Sequence, residues 1–397
     1  MIVTLKDITT KITKGTTPTS IGCKFEKSGI NFIKSESLVD GKTIDKSKFA
    51  FISERTHERL KRSQIEENDI LFSMAGMFLG KTGIATAEVV PANTNQAVAI
   101  IRVDDTKAKY EYVYYYLNQK SVIHTINTTS AQSAQPNINL KQIGEIKINL
   151  PDRKKQDQIV SLLSAIDLKI SNNVEINDNL EQQAVTYFQE LYINNANPMW
   201  QIGTISDLGT VVGGSTPSKT KPEYYTNNGI AWITPKDLSI NKSKFISHGE
   251  NDITELGLKN SSTTVMPKGT VLFSSRAPIG YIAIASNEVT TNQGFKSVIP
   301  YLEIGTAFVY FFLKHSLPVI ESAASGSTFK EISGSAMKNI PAIIPDRSTL
   351  DQFNSFCAPI FAQQKILEDQ NYSLAMLRDS LLPKLMSGAI DIASIQL

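Results

Sequence analysis

The stretch AGMFLGKTG, Ala75 to Gly83, is the nearest thing in this chain to a site for phosphate chemistry. A phosphate-cradling loop needs Gly, four residues, then Gly-Lys-Ser/Thr, so that backbone N–H groups close on the phosphates and the lysine adds charge. Here Ala75 holds the first glycine's place, and starting from Gly76 leaves only three residues before Gly80. A tight turn accounts for the stretch better than ATP binding. The histidines His57, His124, His248 and His315 lack metal-site spacing. Cys23 and Cys357 give neither a disulfide framework nor a metal cluster, which points to a reducing cytosol.

The elements that would position any site occur twice. NLPDRKKQDQIVSLLSAIDLKI (Asn149–Ile170) is echoed by IIPDRSTLDQFNSFCAPIFAQQ (Ile343–Gln364), 194 residues later. Upstream, KGTTPTS (Lys14–Ser20) parallels GGSTPSK (Gly213–Lys219), and GINFIKSESL (Gly29–Leu38) parallels GIAWITPKDL (Gly229–Leu238). DILFS (Asp69–Ser73), TNQA (Thr94–Ala97) and YVYYYLNQ (Tyr112–Gln119) match TVLFS (Thr270–Ser274), TNQG (Thr291–Gly294) and FVYFFLKH (Phe308–His315). The order is the same in both halves, so the chain is a tandem duplication. Glu-Ile-Lys at Glu145–Lys147 could belong to a nuclease site, but its counterpart is Lys338–Ile340, Lys-Asn-Ile. NPMW (Asn197–Trp200) lacks the second proline of the Asn-Pro-Pro-Tyr motif of adenine methyltransferases, and no glycine-rich cofactor loop accompanies it. No catalytic pair recurs in both halves.

Each half has two textures. First come short β-favouring runs such as KFAFI, AVAIIRV and EIKINL between turn residues, with one helix expected over KYEYVYYYLNQKSVIHTI. Then comes a long helix. From Ile159, apolar or near-apolar positions step by four and three: Ile159, Leu163, Ile166, Ile170, Asn173, Asn177, Leu180, Ala184, Tyr187, Leu191. The second copy gives Phe353, Cys357, Ile360, Gln364, Leu367, Asn371, Leu374, Arg378, Leu381, Leu385. A sustained 3.5-residue period marks a coiled coil, and the equivalent Asn177 and Asn371 are polar seam positions that fix register. NANPMW and PKLMSG are the expected stops. The division expected is 1–150, 151–197, 198–344 and 345–397.

At 397 residues and 41% apolar content the chain should fold into two or more domains. Its net charge of +2 hides alternation. Residues 1–155 carry 23 Lys+Arg against 16 Asp+Glu, and residues 156–198 carry 1 against 6. A basic block is compatible with a polyanion partner. No 18-residue apolar run offers a membrane span, and MIVTLKDITTKITKG has no signal-peptide core, so a cytoplasmic protein is expected.

This layout of β-rich domain, long helix, β-rich domain, long helix resembles the specificity subunits of Type I restriction–modification systems over essentially the whole chain. The residues that carry the resemblance are G(S/T)TP near each domain start, LFS mid-domain, TNQ, and the proline-led helix start with Gln. The family's helix start resembles Pro-Pro-Leu-x-Glu-Gln; here PDRKKQDQI and PDRSTLDQF lack the second proline and carry Asp for Glu. The resemblance implies an α+β fold: two β-rich α/β target-recognition domains, 1–150 and 198–344, separated by two long helices in an antiparallel coiled coil with pseudo-two-fold symmetry. It implies a non-catalytic subunit whose domains each read one half of a bipartite double-stranded DNA target. The helices would set the spacer and dock two methyltransferase subunits, and the nuclease–translocase subunits would join that complex. S-adenosylmethionine and ATP would belong to those partners, with no cofactor in this chain. The alternatives are a scaffold without DNA specificity and a carbohydrate-active β-rich enzyme; the latter calls for paired carboxylates recurring in both halves, and the matched segments hold none.

Base edges are read by Arg or Lys at guanine and Asn or Gln at adenine, while Ser, Thr and Lys also hold phosphates. Repeat-matched polar residues in glycine-punctuated loops are therefore candidates. In the first domain these are Lys14, Thr16, Thr17, Lys34, Ser35, Ser73, Lys81, Asn95 and Gln96. In the second they are Ser215, Thr216, Lys219, Thr234, Lys236, Ser274, Ser275, Arg276, Asn292 and Gln293. If the half-sites differ, residues that differ between halves should read bases, and matched ones should position the backbone or hold the fold. By that criterion Lys81 and Arg276 are better base readers than either TNQ.

Overall fold

The computed structural model describes residues 1–39, 41–130, 136–326 and 330–392. The chain forms two compact units: residues 1–168 with 374–397, and residues 169–373. This division cuts both long helices, whereas the sequence suggested four consecutive segments. Each unit joins a β-rich domain to a piece of either helix.

In the first unit, strand Ile2–Thr4 pairs antiparallel with Lys147–Asn149, which ties the domain's start to the approach of its helix. One antiparallel sheet has the order Thr9–Lys14, Val98–Val103, Ile70–Ser73, Thr82–Ile84. A second has the order Ala50–Ile52, Ile30–Ile33, Ala92–Thr94, Gln64–Ile65, with the middle two strands parallel. Ile33, Leu71, Val98 and Ile100 meet in a shared core. The helix expected over 109–126 is two, Tyr110–Leu117 and Lys120–Ser130. At the break the Asn118 side-chain Nδ2 donates to the Tyr114 carbonyl at 2.7 Å, and the same break recurs in the second unit between Thr306–His315 and Leu317–Ala323.

The second unit repeats this plan. Gln201–Thr204 pairs with Pro341–Ile344. Gly209–Gly213, Lys296–Pro300, Val271–Ser275 and Ile279–Ala285 follow the order of the first antiparallel sheet, with Phe245–Ile246 added at the edge. Ile230–Ile233 and Thr290–Thr291 form the matching parallel pair.

Helix α1 spans Arg153–Phe188 and helix α2 spans Arg347–Ser387. At about 1.5 Å per residue they are roughly 54 and 62 Å long. The repeated Pro-Asp-Arg explains both starts. Asp152 Oδ1 accepts from the Lys155 N–H and Asp346 Oδ1 from the Thr349 N–H, each at 2.9 Å, which satisfies a first-turn donor. α1 ends in a π-turn, Gln189–Asn194. α2 ends within the expected PKLMSG stop: Pro383 lies inside the helix, where buried Leu382, Leu385 and Met386 hold the last turn around it. Gly388, with φ of 77°, ends the helix. Residues 393–397 of the expected 345–397 region lie outside the described residues.

Within each unit the helix pieces run antiparallel. In the second, Asn173 Nδ2 donates to Asn371 Oδ1 at 2.8 Å, Gln364 Nε2 donates to the Asn177 carbonyl at 3.1 Å, and the Tyr187 and Phe356 rings lie 4.3 Å apart. In the first, Arg378 donates to Asp167 at 3.0 Å and Lys155 faces Asp391 at 3.7 Å. Ile159, Leu163, Ile166, Phe353, Ile360 and Leu367 are buried, and Ile170, Leu180, Leu374 and Leu381 are half-buried. Asn177 and Asn371 both sit on this seam but take different partners: Asn371 meets Asn173, and Asn177 meets Glu368 at 3.5 Å. The buried Oδ1 atoms of Asn173 and Asn177 lack hydrogen bonds, a cost that a register-fixing polar layer carries. Leu163 is fully buried in the first unit. Leu163→Ala should cost about 2–5 kcal/mol, read as a lower denaturation midpoint with unchanged helical circular dichroism before the transition.

Among the described residues, no helix is long and apolar enough to cross a membrane.

Candidate nucleic-acid interface

The Gly-(Thr/Ser)-Thr-Pro loop and the Thr-Asn-Gln loop, far apart in sequence, clasp each other in both units. In the first, the Thr16 N–H donates to the Thr94 carbonyl at 3.0 Å, and the Thr17 hydroxyl donates to Gln96 Oε1. In the second, the Ser215 N–H donates to the Thr291 carbonyl at 2.9 Å, and the Thr216 hydroxyl donates to Gln293 Oε1. Asn95 and Asn292 each accept from the N–H two residues on, at 3.1 and 2.8 Å, which shapes the turn. Eight candidates therefore gather in two clamps, and most of their polar groups hold the loops together. Gln96 and Gln293 remain exposed, with the oxygen engaged and the NH2 as their donor end.

The glycine that opens each clamp is required by close approach. A Cβ on Gly15 would lie 1.9 Å from the Thr94 carbonyl oxygen, and one on Gly214 would lie 2.0 Å from that of Asn292. Gly15→Ala should cost about 1–3 kcal/mol and open the first clamp alone; amide hydrogen exchange should rise at residues 16–17 and 94–98 and stay unchanged at 215–216.

What differs between the clamps is the side chain that braces them. In the first unit Arg62, on the turn Lys61–Ser63, donates to Thr16 Oγ1 at 3.3 Å. Its neighbour Arg59 donates to the Ile21 carbonyl at 3.1 Å and contacts Cys23 Sγ at 3.0 Å. Buried Asn93 anchors this segment: its Nδ2 donates to the Leu60 carbonyl and to Ser63 Oγ, and its Oδ1 lies 2.5 Å from His57 Nδ1. The helix Glu54–Arg59, capped by Ser53, and the turn after it thus carry exposed Arg55, Arg59, Lys61 and Arg62, of which Arg62 reaches the clamp. In the second unit, Thr254 caps the matching helix Glu255–Lys259. Thr263, the counterpart of Arg62, donates to the Ser215 carbonyl at 3.4 Å. Trp232 Nε1 donates to the same carbonyl at 3.1 Å, and Tyr225 donates to the Pro217 carbonyl at 2.6 Å. Looking only at matched positions missed Arg59 and Arg62. The basic run ERTHERLKR, whose counterpart ELGLKNSST holds a single lysine, was the available signal.

The remaining candidates divide. Lys14, Lys219 and Lys236 are exposed, Lys236 in an ion pair with Glu250 at 2.5 Å. Lys34 is half-exposed, 3.5 Å from Glu36 and over the Phe25 ring, and Ser35 opens a short turn. Thr234 is corrected: its hydroxyl caps the helix Pro235–Ile240 and bonds Asp237 at 2.6 Å, so that helix occupies it. Ser73, Ser274 and Ser275 are also corrected, because all three are fully buried. The Ser274 hydroxyl joins the Pro278 carbonyl to the Tyr281 N–H, each at 2.8 Å, inside a tight turn. Of the two residues favoured as base readers, Lys81 is half-buried and already engaged. Arg276 pairs with Glu331 at 3.3 Å, a contact it must give up to reach a base.

A family model described as Type I restriction modification DNA specificity domain matches residues 1–182 and again 197–369. Among curated proteins, the MjaIX specificity subunit of Methanocaldococcus jannaschii, a Type I restriction enzyme subunit, is 43% identical over 162 residues. That match covers 40% of this chain and 37% of the relative's length. The Type I restriction enzyme HindI specificity subunit of Haemophilus influenzae is 22% identical over 357 residues, covering 70% and 77%. Among solved structures, the crystal structure of a Type-I restriction-modification system S subunit from M. genitalium superposes with a TM-score of 0.58 at 15% identity, over 97% of this chain and 96% of that one. The likeness extends to the fold.

Proposed function

This chain belongs to the Type I restriction modification DNA specificity domain family, and we propose that each of its two β-rich domains reads one half of a bipartite double-stranded DNA target. The chain itself is non-catalytic in this reading. The helix pair sets the spacer between the half-sites and docks two methyltransferase subunits, and the nuclease–translocase subunits join the assembled complex. S-adenosylmethionine and ATP are used by those partners.

One observation carries the reading. The same clamp is built twice from matched residues, yet the side chain bracing it is Arg62 in one unit and Thr263 in the other. Matched loops suit a shared task, gripping the backbone of the duplex. An unmatched residue at an equivalent place suits two readers of different sequences. Two half-sites one helical turn apart, about 34 Å, call for two readers at fixed separation. A duplicated domain-plus-helix supplies them from one chain.

A gel-shift titration with and without the methyltransferase tests this. The isolated chain should bind duplex DNA weakly. The complex should bind one bipartite sequence tightly, with the logarithm of affinity falling steeply and linearly against the logarithm of salt concentration. Equal affinity of the complex for target and scrambled duplex would contradict the proposal.

A further inference from the structure

We infer that Lys42 and Lys244 are positioning residues, each holding its recognition domain at a fixed orientation on the helix segments of its own unit. The inference rests on the proposed function for its consequence at DNA, though not for its geometry.

The two lysines occupy one place in the duplicated fold. The Ile84 N–H donates to the Lys42 carbonyl at 3.0 Å, and the Ile284 N–H donates to the Lys244 carbonyl at 2.7 Å. Both ammonium groups lie over a matched aromatic pair. Lys42 Nζ is 4.4 Å from the centre of the Tyr115 ring and 6.0 Å from that of Tyr114. Lys244 Nζ is 5.4 Å from the centre of Phe311 and 5.0 Å from that of Tyr310. These rings come from the repeated YVYYYLNQ and FVYFFLKH, so that motif has a structural task. Cations over ring faces gain more where water is excluded.

Each lysine then reaches from its domain to the long helices. In the first unit Lys42 donates to Ser164 Oγ at 3.0 Å and lies 3.6 Å from Asp167, both on α1. Asp167 also accepts from Tyr115 at 2.5 Å and from Arg378 of α2 at 3.0 Å, so one carboxylate gathers domain and both helices. In the second unit Lys244 pairs with Glu181 of α1 and donates to Gln364 of α2 at 2.5 Å. Glu181 accepts from Lys314 of the domain's own helix at 2.6 Å. Glu368 of α2 receives the backbone N–H groups of Lys244 and Phe245 at 2.8 and 3.1 Å.

The acceptors are not copies of each other. By the offset of 194, Asp167 corresponds to Phe361, whose ring lies 4.3 Å from Lys244 Nζ. The carboxylate moved to another position and the lysine stayed. A methionine there would avoid the desolvation that burying an ammonium demands. Burial does push Lys244 below the ordinary lysine value, against the pull of Glu181. A buried charge with directional partners on two elements fixes their mutual angle, which an apolar side chain does not.

The test uses spin-label pairs in the full-length chain, in a Cys23→Ser background, since Cys357 is fully buried. One pair, Met77→Cys with Leu168→Cys, spans domain and helix in the first unit. The other, Leu302→Cys with Tyr372→Cys, does so in the second, and all four sites are well exposed. Lys42→Met should broaden the first distance distribution about twofold and leave the second unchanged, and Lys244→Met should do the reverse. Lys42→Arg, which keeps the charge, should restore the narrow distribution. In complex with the methyltransferase, each methionine variant should keep both half-site sequences and accept a second spacer length. Unchanged widths in folded methionine variants overturn the inference, as does broadening that Lys42→Arg fails to reverse, which marks generic packing loss. Should the unaltered complex modify DNA without sequence preference, the reading of function fails, while the distance distributions still decide the positioning role.

Discussion

Deleting one heptad from each long helix at facing positions, between Leu163 and Leu191, on α1 and the π-turn that ends it, and at the paired turns of α2, is expected to shorten the preferred spacer by roughly two or three base pairs. Seven residues of helix span about 10 Å, and one base-pair step is about 3.4 Å. A whole heptad keeps the seam facing its partner, so the deletion shortens the pair without rotating one helix about the other. The half-site sequences should not change, because the clamps and the residues bracing them lie outside the deleted turns. Modification of the original target should fall below detection, since the duplex is stiff over the few base pairs between half-sites. The check is to sequence methylated sites from cells carrying the shortened chain with its methyltransferase. A change in the half-site sequences themselves would detach the helices from the spacing role.

The second large effect concerns Arg62. Arg62→Ala removes the guanidinium that donates to Thr16 of the first clamp. If it reads a guanine, discrimination at one base pair should drop by about 1–3 kcal/mol, or roughly 5- to 150-fold. The loss should be confined to one position of one half-site. Thr263→Ala, at the equivalent place, should leave that half-site untouched. The salt dependence separates the alternatives. A base reader leaves the slope of affinity against salt nearly unchanged, whereas a phosphate contact lowers it by about one unit and weakens all sequences alike. Competitive binding against a library varied at each position, at two salt concentrations, resolves both. Arg62 is exposed, so the variant should fold as the parent does.

The duplication, the two long helices and their seam were legible in the sequence because periodicity and repetition need no tertiary information. A run such as Ile159, Leu163, Ile166 states its own geometry, and Pro-Asp-Arg announces a helix start through its capping aspartate. The interface was less legible, for a physical reason. Polar residues in loops look alike in sequence whether they face solvent, cap a helix or fill a turn. Ser274 and Thr234 were plausible contacts until burial and capping assigned them elsewhere. The clamp partners Thr17 and Gln96 lie 79 residues apart, and nothing in either short motif points to the other. Lys42 and Lys244 escaped notice for a related reason. The loops that carry them have drifted by insertion, and it is the backbone hydrogen bonds and matched aromatic pairs they share that reveal the equivalence. Within the PKLMSG stop it is Gly388 that ends the helix, because the penalty of Pro383 inside a helix is a few kilocalories, which tertiary packing on the next turn can outweigh.

The central claim is the proposal that each β-rich domain reads its own half-site and that the two readers meet the duplex in opposite directions. The most direct measurement is the target of a chimera in which residues 198–344 are replaced by a second copy of the first domain, assembled with the methyltransferase and assayed by sequencing modified sites. The expected target is a palindrome, two inverted copies of the first half-site around the original spacer. A target that still contains the second half-site, or one in which the two copies run in the same direction, would contradict it.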